Sequence, residues 1–168
     1  MSIQGGKPNE KRIVAHLMVP NGREAVDYYR RAFDAQVLYA SEVPMPEPRI
    51  VHAQIRVAES VLLLTEEMLT ENGEPSEDQY GVKLASPKSM GGTTFMLELY
   101  VNDVDNVFKR AVEAGGDPIL EPEDMFYGDR YGIVKDPFGH LWALSTVKEE
   151  LTPEEVDRRA MERFATVQ

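Results

Sequence analysis

The three histidines of this chain are His16, His52 and His140, and the first two stand with Glu98 in alternating runs whose spacing could do chemistry. In VHAQIRV, residues 51–57, the apolar set Val51, Ala53, Ile55 and Val57 takes one face of a strand, so His52, Gln54 and Arg56 take the other. In TFMLELYV, residues 94–101, Phe95, Leu97, Leu99 and Val101 leave Met96, Glu98 and Tyr100 on the second face. The same parity turns Val14, His16 and Met18 of IVAHLMV to the working side. Two neutral imidazoles and a carboxylate could hold one divalent ion, Zn, Fe, Mn or Ni, in an open three-ligand site. Alternatively Glu98 acts as a general base, its pKa raised by burial, beside a histidine acid. A plainer arrangement pairs Glu98 with Arg56 in a hydrated groove and leaves the histidines bonded to nearby carbonyls.

A second group is Tyr127-Gly128-Asp129-Arg130-Tyr131, which combines ring faces, phenols and a guanidinium. Such equipment suits a polar aromatic or carboxylate ligand. The expected ligand-binding residues are therefore Tyr100, Arg56, Gln54, Tyr127, Arg130 and Tyr131. By contrast Asp136-Pro137-Phe138-Gly139 carries turn chemistry, with Pro fixing φ and Gly closing the turn. It reads as the tip of a hairpin, with His140 beside the turn and Trp142 facing the core.

These residues need strands to aim them. The run 13–19 reads as a strand, Asn21 as a cap, and Ala25, Val26, Tyr29, Ala32 and Phe33 as the apolar stripe of a helix. Strand-like runs follow at 36–43, 50–57 and 60–65. The pattern restarts at 94–101, with Asp103 as a cap and Val104, Val107, Phe108, Ala111 and Val112 as a second stripe that ends at Gly115-Gly116. Three more strands are expected near 118–121, 131–135 and 140–146. The order is βαβββ twice, and Ala32-Phe33-Asp34-Ala35 is echoed by Ala111-Val112-Glu113-Ala114 about 80 residues later. The organisation expected is a tail at 1–12, a first module at 13–67, a long connection at 68–92, a second module at 93–148 and a terminal helix at 149–168, all as one structural domain. The long connection suits a lid, a partner-binding arm or a linker. Thr152-Pro153-Glu154-Glu155 supplies the start of the last helix.

The 168 residues carry a net charge of −11, which repels phosphate backbones and anionic lipid surfaces, so neither nucleic acid nor membrane is an expected partner. The absence of cysteine excludes disulfides, thiolate metal sites and cysteine nucleophiles. No apolar run approaches membrane-spanning length and MSIQGGKPNEKR has no signal-like core, so a cytoplasmic location is expected.

Several stretches together resemble the vicinal oxygen chelate superfamily, the glyoxalase, bleomycin-resistance and extradiol-dioxygenase group, and in particular its PhnB-like branch. They are Ala25-Val26-Asp27-Tyr28-Tyr29, His52-Ala53-Gln54-Ile55-Arg56, Gly91-Gly92-Thr93, Asn102-Asp103-Val104-Asp105, and 127–132 running into Asp136-Pro137-Phe138-Gly139-His140-Leu141-Trp142. The resemblance implies an α+β fold of two βαβββ modules, with curled mixed sheets around a pocket and helices on the convex side. It also implies a small-molecule ligand and a homodimer. Metal-using members place four ligands on the first and last strands of the modules, where the ion acts as a Lewis acid. Here those positions fall at Val14, Leu63, Met96 and Ala143, none suited to a hard or borderline ion. The expectation is a binding protein for a small organic molecule with no cofactor at the usual site, acting in sequestration, resistance or a conversion. The alternative is a metal-dependent lyase, isomerase or dioxygenase using His16, His52 and Glu98.

Overall fold

The computed structural model describes residues 13–44 and 49–165, so the expected tail at 1–12 lies outside the described residues. The chain divides into two compact units, one ending at Thr94 and also holding Pro137–His140, the other formed by 95–136 and 141–168. The first runs β1 (Ala15–Val19), α1 (Gly22–Phe33), β2 (Gln36–Val43), β3 (Arg49–Val57), β4 (Ser60–Glu66) and a short α2 (Pro87–Met90). The second runs β5 (Met96–Tyr100), α3 (Val104–Glu113), β6 (Asp117–Asp124), β7 (Asp129–Lys135), β8 (Leu141–Val147) and α4 (Pro153–Ala165). Their sheets share one topology, β1-β4-β3-β2 and β5-β8-β7-β6. In each, the first and last strands pair in parallel and the other neighbours pair antiparallel. The α+β fold of two mixed-sheet βαβββ modules and a terminal helix is what the sequence led us to expect. Among the described residues no helix is long and apolar enough to cross a membrane.

In the first unit, Asn21 Oδ1 accepts from the backbone N–H groups of Arg23 and Glu24 and so starts α1. The stripe Ala25, Val26, Tyr29, Ala32 and Phe33 is buried, together with Tyr28, against Leu17, Ala53, Ile55, Leu62 and Leu64 of the sheet. Burying each of the larger side chains contributes about 1.5–3 kcal/mol. Gly22 begins the helix because a Cβ there would stand 2.0 Å from the Ile50 carbonyl oxygen. The hairpin tip belongs to this core. Phe138 packs edge-on to Tyr28 with centroids 5.9 Å apart, and Gly139 (φ 94°) leaves room for the Lys88 backbone that donates to the Phe138 carbonyl. His140, beside the turn as expected, is buried there, and its Nε2–H donates to the Met18 carbonyl at 3.0 Å.

In the second unit, Asp103 caps α3 by accepting from Asn106 N–H, and Val104, Phe108 and Ala111 bury against the sheet face carrying Val134, Trp142 and Leu144. Trp142 is core, as expected, and its Nε1–H donates to buried Asp136 at 3.1 Å. Thr152 accepts from Glu155 N–H at the start of α4.

Parity fails at one place in β3. Ser41 pairs with His52, but the next residue, Glu42, pairs with Ile50, so Val51 is the extra residue of a β-bulge. Ile50 is buried beneath α1, and Val51, expected on that side, is turned out to line the open face beside His16 and Thr65.

Candidate functional site

The open face of the first sheet carries a groove of about 950 Å³. Its floor is His16, Met18, Val51 and Thr65, its end is Arg49 with Glu66, and its roof is Met68, Leu69, Ser76, Asp78, Val82 and Leu84. The roof is the first part of the long connection. It is ordered by its own backbone, through bridges Leu69↔Pro75 and Glu77↔Lys83, and by Asp78 Oδ1, which accepts from Tyr80 and Val82 N–H. Glu67, only 6% exposed, fixes the far end by accepting from Ser86 N–H at 2.6 Å and from Ser89 Oγ at 2.7 Å.

Thr65 stands at the centre of the floor. Its hydroxyl lies 2.7 Å from His16 Nε2 and 3.1 Å from His52 Nδ1. A hydroxyl has one proton to donate and two lone pairs, so at most one imidazole accepts from it and at least one donates to it. The two rings meet edge-on at 5.8 Å, and Tyr39 stands 6.5 Å from His52. Partial burial, and then the neighbouring His52, hold His16 below the usual imidazole pKa, which favours its neutral form.

At the groove's end the Arg49 guanidinium pairs with Glu66 Oε2, while Glu66 Oε1 accepts from Gly22 N–H at 2.8 Å. A carboxylate at a helix N-terminus is favoured by the macrodipole. The same group therefore anchors α1 and neutralises Arg49.

The second unit has a different cluster on its own open face. Glu98 Oε1 accepts from Ser145 Oγ at 3.0 Å. Tyr100, Tyr127, Asp129 and Tyr131 feel the same carboxylate. Glu98 chiefly raises the Tyr100 pKa, whereas burial is the main cause for Asp129 and Tyr131, with Glu98 second. Burial, with Tyr131, Asp129, Glu98 and Tyr100 adding, pushes Tyr127 up to about 12.

Of the residues expected at the site, His16 and His52 come together, Gln54 and Arg56 share their sheet, and Tyr100, Tyr127 and Tyr131 gather around Glu98. Arg130 departs from expectation. Adjacent strand residues face opposite ways, and Arg130 turns from Tyr131's side to grip Asp105 through two 2.7 Å bonds and Asp124 at 3.1 Å. Glu98 pairs with Ser145. Thr65, Arg49, Glu66 and Tyr39 were not singled out from the sequence. Thr65 was reachable, because in SVLLLTE Leu62 and Leu64 are core and Thr65 shares the other face with Leu63.

The residues do not fit the superfamily's metal. Val14, Leu63, Met96 and Ala143 offer no hard donor. His16 pairs with Leu63 and Glu98 with Ala143, so each polar group lies one strand across from an aliphatic at a usual ligand position. Among the described residues, no group of three or more His, Asp or Glu is placed to hold a metal ion.

The comparisons with known proteins agree with this architecture. An uncharacterised protein, Rv0887c, of Mycobacterium tuberculosis (strain ATCC 25618 / H37Rv) is 36% identical over 147 residues, covering 88% of this chain and 81% of that protein. The crystal structure of TioX from Micromonospora sp. ML1 aligns with a TM-score of 0.60 at 25% identity, over 82% of this chain and 99% of that one. A PhnB protein from Bacillus cereus shares the fold with a TM-score of 0.57 at 16% identity, over 81% of this chain and 99% of that one. The family model for the Glyoxalase/Bleomycin resistance protein/Dioxygenase superfamily matches residues 12–144. Two βαβββ modules, their parallel outer pairing and this match lead to one conclusion: the chain belongs to the glyoxalase/bleomycin resistance protein/dioxygenase superfamily.

Proposed function

We propose that this protein binds a small organic molecule in the groove of the first unit, without a metal at the superfamily's usual positions, and acts in sequestration or resistance. The observation that carries this reading is the groove itself. About 950 Å³ is at the upper end of the range for small-molecule sites, and an apolar roof over a floor with a few converging polar groups is their usual lining. The protein would work in the cytoplasm as a homodimer, with exposed Met161 and Phe164 of α4 available for burial between copies.

A second reading has support from the Thr65 bridge. Two imidazoles joined through one hydroxyl can pass a proton, so the groove could also host an acid–base conversion. Glu98 remains a candidate base only in the second unit's cluster.

Native mass spectrometry of the freshly purified protein, with Val82→Trp as the blocked control, tests the binding reading. The expected result is a co-purified or screened compound that adds its mass to the wild type and not to Val82→Trp. Equal adducts on both proteins would contradict it.

A further inference from the structure

We infer that the groove selects an organic cation, a protonated amine carried on an apolar body, and discriminates against carboxylates and phosphonates. This deepens the binding reading and rests on it.

Among the described residues, the charges lining the groove are three carboxylates, Glu66, Glu67 and Asp78, against one guanidinium, Arg49. Arg49 is held by Glu66, whose side chain is 5% exposed. An incoming anion could recruit Arg49 only by leaving a buried carboxylate without its cation, which is strongly unfavourable. Partial burial and the neighbouring His52 favour the neutral form of the His16 imidazole. The anion therefore meets no available cation among the described lining residues.

A cation meets a different surface. Glu66 and Glu67 are tied up by Gly22 and Arg49 and by Ser86 and Ser89. Asp78 engages only Oδ1, with two backbone N–H groups of its own turn, and Oδ2 has no partner among the described residues. A carboxylate offers about four acceptor sites, so Asp78 can receive an ammonium without giving up the bonds that shape the roof. Around it Met68, Leu69, Val82 and Leu84 provide apolar surface, and the methionines Met18 and Met68 can adapt to an irregular body. The overall charge of −11 acts in the same sense by drawing cations towards the surface.

Three fluorescent probes with one shared apolar body test the inference: dansylcadaverine (cation), dansylamide (neutral) and dansylglycine (anion), each titrated at pH 7 and low salt. The wild type is expected to bind dansylcadaverine about tenfold more tightly than dansylamide, and dansylglycine most weakly. In Asp78→Asn, which keeps the Oδ1 acceptor, dansylcadaverine should bind within about twofold of dansylamide. Dansylglycine binding as tightly as dansylcadaverine would overturn the charge preference while leaving the groove as a binding site. Failure of all three probes to bind would overturn both readings. A full preference for the cation in Asp78→Asn would overturn the assignment to Asp78.

Discussion

The Thr65 hydroxyl lies 2.7 Å from His16 Nε2 on neighbouring, parallel strands, and the same oxygen reaches His52 from the other side. This arrangement makes the floor of the groove sensitive to protons.

His16 has a folded pKa below its ordinary value of 6.5. The unfolded chain therefore binds the proton first, and folding stability falls as pH drops through 6.5 towards the folded value. Chemical denaturation of the wild type and His16→Gln between pH 7.5 and 5 should show a smaller loss of stability in the variant. Identical pH slopes would contradict the burial assigned to His16.

The phenol cluster gives the opposite sign at high pH. Tyr100, Tyr127 and Tyr131 are raised, so the folded protein keeps their protons after the unfolded chain has lost them, and stability falls as pH rises above 10. Absorbance titration should find one tyrosine ionising only near 12. Glu98→Gln should shift the Tyr100 transition down, because the Glu98 charge is its largest cause.

Gly22→Ala would place a methyl carbon 2.0 Å from the Ile50 carbonyl oxygen and force α1 away from β3. A loss of about 2–3 kcal/mol in urea unfolding is expected. Because Gly22 N–H also holds Glu66, the variant should weaken probe binding in the groove as well.

Arg130 is a structural tie between α3, β6 and β7. Arg130→Gln should lower the melting temperature in a salt-dependent way and leave dansyl-probe affinities at wild-type values. A tenfold loss of probe affinity at an unchanged melting temperature would return Arg130 to the ligand site.

Much of this molecule was legible in its residues. Asn21 and Asp103 cap helices where they stand because their side chains act on their own neighbourhood, and the stripes of α1 and α3 follow from helical period alone. Strand parity placed His16, His52 and Glu98 on open faces. It misplaced Val51, because the bulge opposite Ser41 and Glu42 depends on pairing between strands. It also does not show that Arg130 and Tyr131 serve different sides, since the two are adjacent in one motif. The roof was harder still. Nothing in residues 68–84 taken alone indicates that Asp78 would fold its turn over His16 and Thr65, because that depends on Glu67 fixing Ser86 and Ser89.

On this reading, ligand enters the groove beneath residues 68–84. Backbone chemical-shift mapping of isotope-labelled protein during titration with dansylcadaverine tests it most directly. Shifts concentrated at His16, Val51, Thr65, Asp78 and Val82 are expected. Shifts confined to Glu98, Tyr100, Tyr127 and Tyr131, with the groove residues unmoved, would contradict the account and move the binding site to the second sheet.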